Sequence, residues 1–201
     1  SFISDMDLEL EGRYLLSCAV DGSLRVWDLK KRGQSFAVQA SCEFRGCAIR
    51  KRSGGFLLFA TGSDSCLRLW RVTENLRESF HVDDFREINF KRGDESESFR
   101  AFEVSPDGRT FAVLLSSGQG WIFETDAIDL DTNRLNIQDS ISDIKYCENL
   151  KLWIIASRNG SIYSAFFINH TCQVALVSKL SLSYQIDAID ICGQMIGLYS
   201  I

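Results

Sequence analysis

Two stretches of the chain repeat the same order of apolar and polar positions 43 residues apart. Residues 15–29 read LLSCAVDGSLRVWDL, and residues 58–72 read LFATGSDSCLRLWRV. In each stretch an apolar run leads into a tight turn that contains an acidic residue, and a run of alternating apolar and polar residues follows. Alternation with a period of two is typical of β-strands that bury one face. The fixed spacing predicts a series of similar supersecondary units packed side by side.

Each repeat reads as four short antiparallel strands, here named a to d in chain order. In the first repeat, the Asp21-Gly22 pair between two apolar runs is a strong signal for a hairpin that joins strands b and c. Comparable turns and apolar runs recur along the chain, and a charged segment at 91–97 is interpreted as a surface loop. The sequence predicts an all-β chain with four-stranded repeats at 1–41, 42–90, 99–138 and 141–180, and a partial repeat at 184–201.

The composition is that of a globular protein. Hydrophobic residues make up 45% of the 201 residues and charged residues 24%. A net charge of −5 argues against a protein whose whole surface grips nucleic acid. No apolar run approaches the roughly 20 residues of a membrane-spanning helix. The seven cysteines have irregular spacing, and several lie in or beside apolar runs, which predicts free thiols and a reducing compartment, the cytosol or the nucleus.

The residues with catalytic or metal-binding chemistry form no recognisable site. A structural zinc site needs four ligands in short paired spacing, and neither the Cys42 and Cys47 pair nor the His170 and Cys172 pair has a convincing second pair. The sequence contains no nucleophile elbow of the Gly-x-Ser-x-Gly type, no phosphate-binding loop and no dinucleotide fingerprint. We therefore expect no metal, no cofactor and no enzymatic activity.

Two groups of three basic residues stand out among the predicted connections between strands. Strands in an antiparallel sheet alternate in direction, so the a–b and c–d connections emerge at the same end of neighbouring sheets. The two groups, here called the basic triplets, are predicted in a c–d and an a–b connection, and we expect them to form one partner-binding face. The alternative is that each triplet only solvates its own loop. The triplets are Lys30, Lys31, Arg32 and Arg50, Lys51, Arg52.

With these features the chain resembles the WD-repeat β-propeller family. The resemblance is carried by the turn acids Asp21 and Asp64 and by the Trp27-Asp28 pair, with weaker echoes at Trp70-Arg71, Phe123-Glu124 and Asn159-Gly160. It implies a partial or incomplete β-propeller of four-stranded antiparallel blades. Since such propellers usually close with about seven blades, within a range of ~4–8, it also implies a larger ring, whose other blades lie outside this chain or come from another one.

The resemblance implies structural roles for several side chains. In the family, a buried hydrogen-bond network joins a His, the turn Asp, a Ser or Thr of strand b and the Trp of strand c. The His is missing here, because His81 and His170 lie elsewhere in the repeats. We expect a partial network in the first repeat and its counterparts in the second; these structural residues are Ser17, Asp21, Trp27, Asp64 and Trp70.

For function, the resemblance implies a non-enzymatic protein–protein interaction scaffold within a larger cytoplasmic or nuclear complex. Two alternatives stay open. One is a substrate receptor of a cullin-RING ubiquitin ligase, because the segment 11–17, followed by Asp21-Gly22, resembles the first blade of one such receptor, the Cockayne-syndrome repair adaptor. These receptors commonly carry Trp-Asp-x-Arg, whereas residues 27–30 read Trp-Asp-Leu-Lys and lack the Arg. The other alternative is a nucleic-acid- or chromatin-associated propeller that acts through a basic face.

Overall fold

The computed structural model describes residues 2–74, 80–91, 97–180, 185–192 and 195–199. In this part of the chain every regular element is a β-strand, and no helix has the length and apolar character needed to span a bilayer. The strands are β1 (Ile3–Leu8), β2 (Tyr14–Ala19), β3 (Ser23–Asp28), β4 (Gly33–Gln39), β5 (Phe44–Arg52), β6 (Gly55–Gly62), β7 (Cys66–Glu74), β8 (Phe80–Asn89), β9 (Phe99–Val104), β10 (Thr110–Leu115), β11 (Gly120–Glu124), β12 (Ile141–Cys147), β13 (Leu152–Ser157), β14 (Ser161–Ile168), β15 (Thr171–Lys179), β16 (Ala188–Cys192) and β17 (Met195–Tyr199).

Each sheet is an antiparallel meander in which spatial order follows chain order. The sheets β1-β2-β3-β4, β5-β6-β7-β8 and β12-β13-β14-β15 have four strands and are called blades 1, 2 and 4. Blade 3 is the three-stranded sheet β9-β10-β11, and blade 5 is the hairpin β16-β17. This is the meander that short strands joined by tight turns produce.

The b–c turns of three blades close in the same way, which explains the acidic or amide residue seen in each repeat. A side-chain oxygen accepts a hydrogen bond from the backbone N–H two residues further on, at 2.9 Å for Asp21 and Ser23, 3.2 Å for Asp64 and Cys66, and 3.0 Å for Asn159 and Ser161. The following residue lies at positive φ, +79° for Gly22 and +63° for Ser65. A Cβ on Gly22 would lie 2.4 Å from the carbonyl oxygen of Ala40, so only glycine fits there.

The chain divides into two compact units, which are described separately. Unit 1 comprises Ser1–Ser98 with Pro106–Gly108 and contains blades 1 and 2. Its core lies between the two blades, because alternate residues of each sheet face the other sheet. The buried residues of this core are Tyr14, Leu16, Cys18, Leu24 and Val26 from blade 1, and Phe44, Cys47, Ile49, Phe56, Leu58, Ala60, Trp70 and Val72 from blade 2.

Unit 2 comprises Phe99–Ser105 with Arg109–Ile201 and contains blades 3, 4 and 5. It has one core between blades 3 and 4, which includes the fully buried Trp153, and a second core between blades 4 and 5. The second core is smaller and rich in isoleucine, with Ile154, Ile162, Ile186 and Ile189 among its buried residues. β-branched side chains pack well on a pleated surface, which favours this composition.

Blade 3 departs from the predicted four-stranded pattern. Its fourth strand is reduced to one bridge between Trp121 and Arg134, flanked by backbone hydrogen bonds from Ile122 to Asn133 and from Leu135 to Gly120. Residues 125–132, between β11 and this bridge, form a largely polar turn. The indole Nε1 of Trp121 donates a hydrogen bond to the carbonyl of Leu130 in this turn, at 3.0 Å. Leu135, which is buried, is the apolar residue that this short return contributes to the core.

The a–b turn of blade 2 is tight: β5 ends at Arg52, β6 begins at Gly55, and Ser53 and Gly54 form the turn between them. Gly54 has φ +84°, which permits so tight a reversal. The charged segment predicted as a loop falls largely at 92–96, and the predicted start of the last repeat at residue 184; both positions lie outside the described residues.

Carboxylates on the first strand of one blade bond backbone N–H groups on the first strand of the next. These bonds, here called carboxylate links, occur at each blade-to-blade contact within a unit. The pattern analysis did not find them. In unit 1, β1 bonds β5 through Asp5 to Cys47 N (3.0 Å) and Asp7 to Ile49 N (2.8 Å). In unit 2, Glu103 bonds Tyr146 N (3.1 Å), and Asp143 bonds Ile189 N (3.0 Å).

Removing one carboxylate link should cost stability. Asp143→Ala leaves the N–H of Ile189, a residue that is 2% exposed, without its acceptor, and we expect a loss of about 1–3 kcal/mol in the free energy of unfolding. Urea unfolding followed by fluorescence measures it. Asp190→Ala is the control, because the exposed Asp190 carboxylate bonds only the adjacent N–H of Ile191 in the structure described. Equal losses in the two variants would contradict the role of the link.

Candidate functional site

Arg13 lies at one edge of unit 1, where its side chain joins one connection between strands to the ends of two strands. Its guanidinium donates to Asp28 Oδ2 through Nη2 (2.9 Å) and Nε (3.2 Å), and Nη2 lies 3.4 Å from Glu74 Oε1. The guanidinium carbon also lies 4.7 Å from the centre of the Tyr14 ring. Arg13 therefore joins the a–b connection of blade 1 to the end of β3 in the same blade and to the end of β7 in blade 2.

Asp28 holds the turn that carries the first basic triplet. Its side chain is 1% exposed, and Oδ1 accepts hydrogen bonds from the backbone N–H groups of Lys30 (2.9 Å) and Lys31 (3.1 Å). Burial opposes ionisation of Asp28, but the Arg13 guanidinium and these two N–H groups outweigh it and hold the pKa of the carboxyl below its ordinary value. The Asp of the Trp-Asp pair is thus a buried structural anion.

Two further acids at this edge, Glu9 and Glu74, accept hydrogen bonds that hold the local structure. Glu9, which is 3% exposed, accepts hydrogen bonds from the backbone N–H groups of Glu11 (2.8 Å), Arg13 (2.6 Å) and Tyr14 (3.3 Å), and so closes the a–b turn of blade 1. Glu74 Oε1 accepts a hydrogen bond from the Tyr14 hydroxyl at 2.6 Å. Burial and this carboxylate raise the pKa of the Tyr14 phenol, so Tyr14 remains a neutral donor.

These residues surround a cavity of about 290 Å³, here called the charged cavity. Tyr14 and Phe56, both buried, supply apolar surface, and three acids and three bases supply the charge. A smaller cavity of about 160 Å³ shares Arg52, Gly54, Gly55 and Phe56 with the charged cavity. The lining of the charged cavity is Glu9, Glu11, Arg13, Tyr14, Lys51, Arg52, Gly54, Gly55, Phe56 and Glu74.

The second basic triplet is divided by the structure between two environments. Arg50 Nη1 forms an ion pair with Asp7 Oδ2 at 2.5 Å and donates to the carbonyl of Ile49, so it supports the link between blades 1 and 2. Lys51 and Arg52 line the charged cavity instead. The Lys51 ammonium pairs with Glu11 Oε1 at 2.6 Å, where both side chains are at least half exposed. All three lie at the end of β5 and not in a loop.

The first basic triplet lies in the c–d turn of blade 1, where Lys30, Lys31 and Arg32 are exposed. Arg32 has φ +55°, a conformation that a turn of this tightness imposes on its last residue. The structure couples this turn to the charged cavity through Asp28 and Arg13. Six residues were predicted to bind a partner. Lys51 and Arg52 line the charged cavity, Arg50 supports the contact between blades 1 and 2, and the first basic triplet lies in the c–d turn of blade 1.

In blade 1, the indole Nε1 of Trp27 donates to Ser17 Oγ at 2.9 Å, and Trp27 itself is half-buried. The strand register explains why blade 2 differs. Leu15 pairs with Trp27 and Leu58 pairs with Trp70, so the position equivalent to Ser17 is occupied by Ala60. Trp70 is 7% exposed and makes ring contacts at 6.2 Å with Phe44 and 5.4 Å with Phe85. Thr61, on the other face, donates to the carbonyl of Gly46.

Arg68 is a structural residue that the pattern analysis missed. Its guanidinium makes two hydrogen bonds to the Asp64 carboxylate, at 2.6 Å and 3.1 Å, and an ion pair at 2.8 Å with Glu87. The hydrogen bonds to Asp64 raise the pKa of Arg68. Burial opposes the ionisation of Asp64, but Arg68 holds the pKa of that carboxyl below its ordinary value. This pair fixes the b–c turn of blade 2 to β7, as the missing histidine network does in the family.

The residues weighed as metal ligands lie apart in different environments. Cys42 Sγ is 3.2 Å from Arg68 Nη1, whereas Cys47 is buried in the core of unit 1. His170 Nδ1 lies 2.5 Å from Glu124 Oε2, and burial raises the pKa of Cys172 to about 11. Among the described residues, no three His, Cys, Asp or Glu side chains come together in a group that could hold a metal ion.

The comparisons with known proteins agree with this architecture. Residues 1–28 match the family model for the WD domain, G-beta repeat. The β-propeller domain of Cps50 (Swd1) from Myceliophteria thermophila is a similar solved structure, with a TM-score of 0.59 and 17% identity. The predicted WD-repeat resemblance is therefore confirmed for residues 1–28, and the fold is that of a partial β-propeller.

The same comparisons say little about function. The match to the Cps50 (Swd1) domain covers 87% of this chain and 57% of that one, so this chain spans little more than half of the similar propeller. In all, 1311 chains of known structure match significantly, and a fold shared so widely hosts many functions. No curated protein sequence matches the chain. Function has to be argued from the site.

Trp27 and Trp70, at equivalent positions of the first two repeats, should contribute differently to the free energy of unfolding. Trp70→Ala opens a cavity in the core of unit 1, and we expect a loss of about 3–5 kcal/mol in the free energy of unfolding. Trp27→Ala should cost less, because Trp27 is only half-buried, although it also loses the bond to Ser17. Chemical denaturation of both variants measures the difference. An equal or larger loss for Trp27→Ala would contradict this assignment.

The Asp28 and Arg13 pair should make the stability of unit 1 depend on pH. Because the folded pKa of Asp28 is below the unfolded value of about 3.9, its contribution is present above that value and is lost as the pH falls through the folded pKa. We expect Asp28→Asn to lose about 1–3 kcal/mol at neutral pH and the difference from wild type to shrink as the pH falls from about 5 to about 3. Urea midpoints measure both. A difference that is independent of pH would contradict the ionised pair.

Proposed function

We propose that the protein is a non-enzymatic interaction scaffold within a larger assembly and that the charged cavity of unit 1 receives an acidic segment of a partner protein. WD-repeat propellers present their connections on a rigid frame, and the connections make the contacts. The observation that supports this use is the charged cavity itself, because its walls come from the strand ends and turns of two adjacent blades and include Lys51 and Arg52.

The state of the cavity acids favours an acidic partner over a basic one. Glu9 is saturated by three backbone N–H groups, and Glu74 is engaged by Tyr14 and Arg13. Glu11 is the exposed acid of the cavity, with 64% of its side chain in solvent, and it pairs only with Lys51 in the structure described. An exposed ion pair contributes at most about 1 kcal/mol, so a partner carboxylate can replace Glu11 at little cost.

The c–d turn of blade 1 extends the same surface. Its exposed basic triplet adds positive charge to an edge where the cavity acids and bases balance, and this raises the rate at which acidic segments arrive. Asp28 fixes the backbone of this turn. In this proposal Lys30, Lys31 and Arg32 guide the partner, Lys51 and Arg52 bind it, and Arg50 supports the frame.

The other two candidate functions receive less support from the site. A nucleic-acid-binding face needs several cations available to phosphates, whereas Arg50 is held by Asp7 and three acids, Glu9, Glu11 and Glu74, line the same cavity. A ubiquitin-ligase receptor would dock through the Trp-Asp motif, whereas Asp28 is buried against Arg13. Both functions stay predictions, as does a cytoplasmic or nuclear location. Since the similar propeller chain is longer, we also propose that further blades, outside these 201 residues or from another chain, complete the assembly.

A labelled acidic peptide tests the proposed site. With a fluorescein-labelled peptide of alternating Glu and Gly, we expect Lys51→Ala to weaken binding about threefold to fivefold and Glu11→Gln to strengthen it by a similar factor, because each change alters one exposed charge pair. Fluorescence anisotropy gives the affinities. Arg45→Ala is the matched control, since Arg45 is also an exposed cation of β5, pairs with Glu43 and does not line the cavity.

The outcomes separate the candidate functions. Opposite changes for Lys51→Ala and Glu11→Gln, with no change for Arg45→Ala, support the acidic-partner site. Equal effects of Lys51→Ala and Arg45→Ala, or no binding of the peptide, contradict it. Binding of a single-stranded DNA oligonucleotide that collapses between about 50 and 200 mM salt, in place of peptide binding, would favour the nucleic-acid alternative.

A further inference from the structure

The fourth strand of blade 4 has an unusual degree of exposure. β15 comes last in the order of its sheet and pairs with β14 alone in the part of the chain that the structure describes. Eight of its nine residues are exposed, and only Cys172 is partly buried. The exposed side chains include Val174 (37%), Leu176 (57%) and Val177 (60%), which lie on both faces of the strand. An unpaired strand edge of this kind also presents its backbone N–H and C=O groups to solvent.

The fourth strand of blade 2 carries charges and that of blade 1 is shorter, whereas β15 has neither protection; a register shift interrupts the pairing of all three strands. β8 alternates between exposed and partly buried residues along most of its length, and its exposed positions include charged residues such as Asp83 and Glu87. β4 is shorter, at seven residues, and partly buried at alternate positions. Charges and short length are the usual protections of an edge strand. The only charged residue of β15 is Lys179, at its end.

The neighbouring strand enlarges the apolar surface beside this edge. Phe166 (38% exposed) and Ile168 (51% exposed) lie on β14, opposite Gln173 and Thr171 of β15. A partner that pairs with the edge must offer an extended backbone and side chains without charge over about eight residues, because a charged residue would be buried against Val174 or Leu176. The sequence TCQVALVSK of β15 itself meets both conditions.

We propose that β15 pairs antiparallel with β15 of a second copy of this chain. An antiparallel strand pair has a two-fold axis, so one strand can serve both copies. The pairing places the two Lys179 residues at opposite ends of the ladder and sets no like charges against each other. It continues the antiparallel order of blade 4 and joins the two sheets into one of eight strands. The dimer forms through residues of unit 2 and uses none of the residues that line the charged cavity, so it is independent of the proposed function.

The mass of the chain in solution tests this proposal. Sedimentation velocity over a range of concentrations should show a monomer of 22.7 kDa that converts to a dimer of about twice that mass. Leu176→Lys places a charge in the middle of the proposed ladder at an exposed position, and we expect its dimerisation to be at least about tenfold weaker. Ala37→Lys is the matched control, because it places the same charge at an exposed position of β4, the fourth strand of blade 1.

Hydrogen exchange gives a second readout that does not depend on mass. In the dimer the outward N–H groups of β15 should exchange more slowly than in the monomer, and Leu176→Lys should remove this protection while leaving exchange in β13 unchanged. Val177→Lys replaces Leu176→Lys if the latter variant fails to fold by circular dichroism. A monomer at every concentration, a dimer equally weakened by Ala37→Lys, or assemblies that grow beyond the dimer would each overturn the proposal.

Discussion

A carboxylate on the first strand of one blade, bonded to a backbone N–H on the first strand of the next, is the contact on which the order of the blades depends. The first strand of a blade pairs with its own sheet along one edge, so the N–H groups of its other edge have no ladder partner. At Ile49 and Ile189, which are buried, an unsatisfied N–H would be costly. Asp7 and Asp143 satisfy these groups with charge-assisted bonds and thereby set the register between blades.

The apolar cores supply most of the stabilisation, but they are not directional. Apolar contact gains free energy in proportion to buried area and tolerates small sliding movements between sheets. The carboxylate links are short and directional, and they occur at each blade-to-blade contact within the two units.

The same chemistry positions the candidate site. Asp28, Glu9 and Glu74 are acids of unit 1 that bond backbone N–H groups, Arg13 or Tyr14, and so fix the turns around the charged cavity. Because these acids are engaged by the fold, the cavity chemistry that we propose for a partner centres on Lys51, whose ion pair with Glu11 is exposed. The acids that fix the turns are held in place by hydrogen bonds, whereas Lys51 can exchange its exposed pair with Glu11 for a partner carboxylate. Both properties suit the proposed scaffold.

The sequence predicted the repeat, the b–c turns and the strand positions because each depends on a local pattern of about a dozen residues. It did not predict which charged groups pair, either across a hairpin, as Arg13 does with Asp28, or within one turn, as Asp64 does with Arg68, since many acids and bases compete for these roles. One signal was present: an acid recurs in the first strands, at Asp5, Glu103 and Asp143. The bridge that replaces the fourth strand of blade 3 could not be predicted, because its 125–132 turn is polar and irregular.

The most direct test of the carboxylate link is hydrogen exchange at the N–H of Cys47, measured by NMR in the wild type and in Asp5→Ala. If the link holds, exchange at Cys47 becomes at least about tenfold faster in Asp5→Ala, while N–H groups of the β6-β7 ladder keep their protection. Unchanged exchange at Cys47, or an equal loss of protection throughout blade 2, would contradict it.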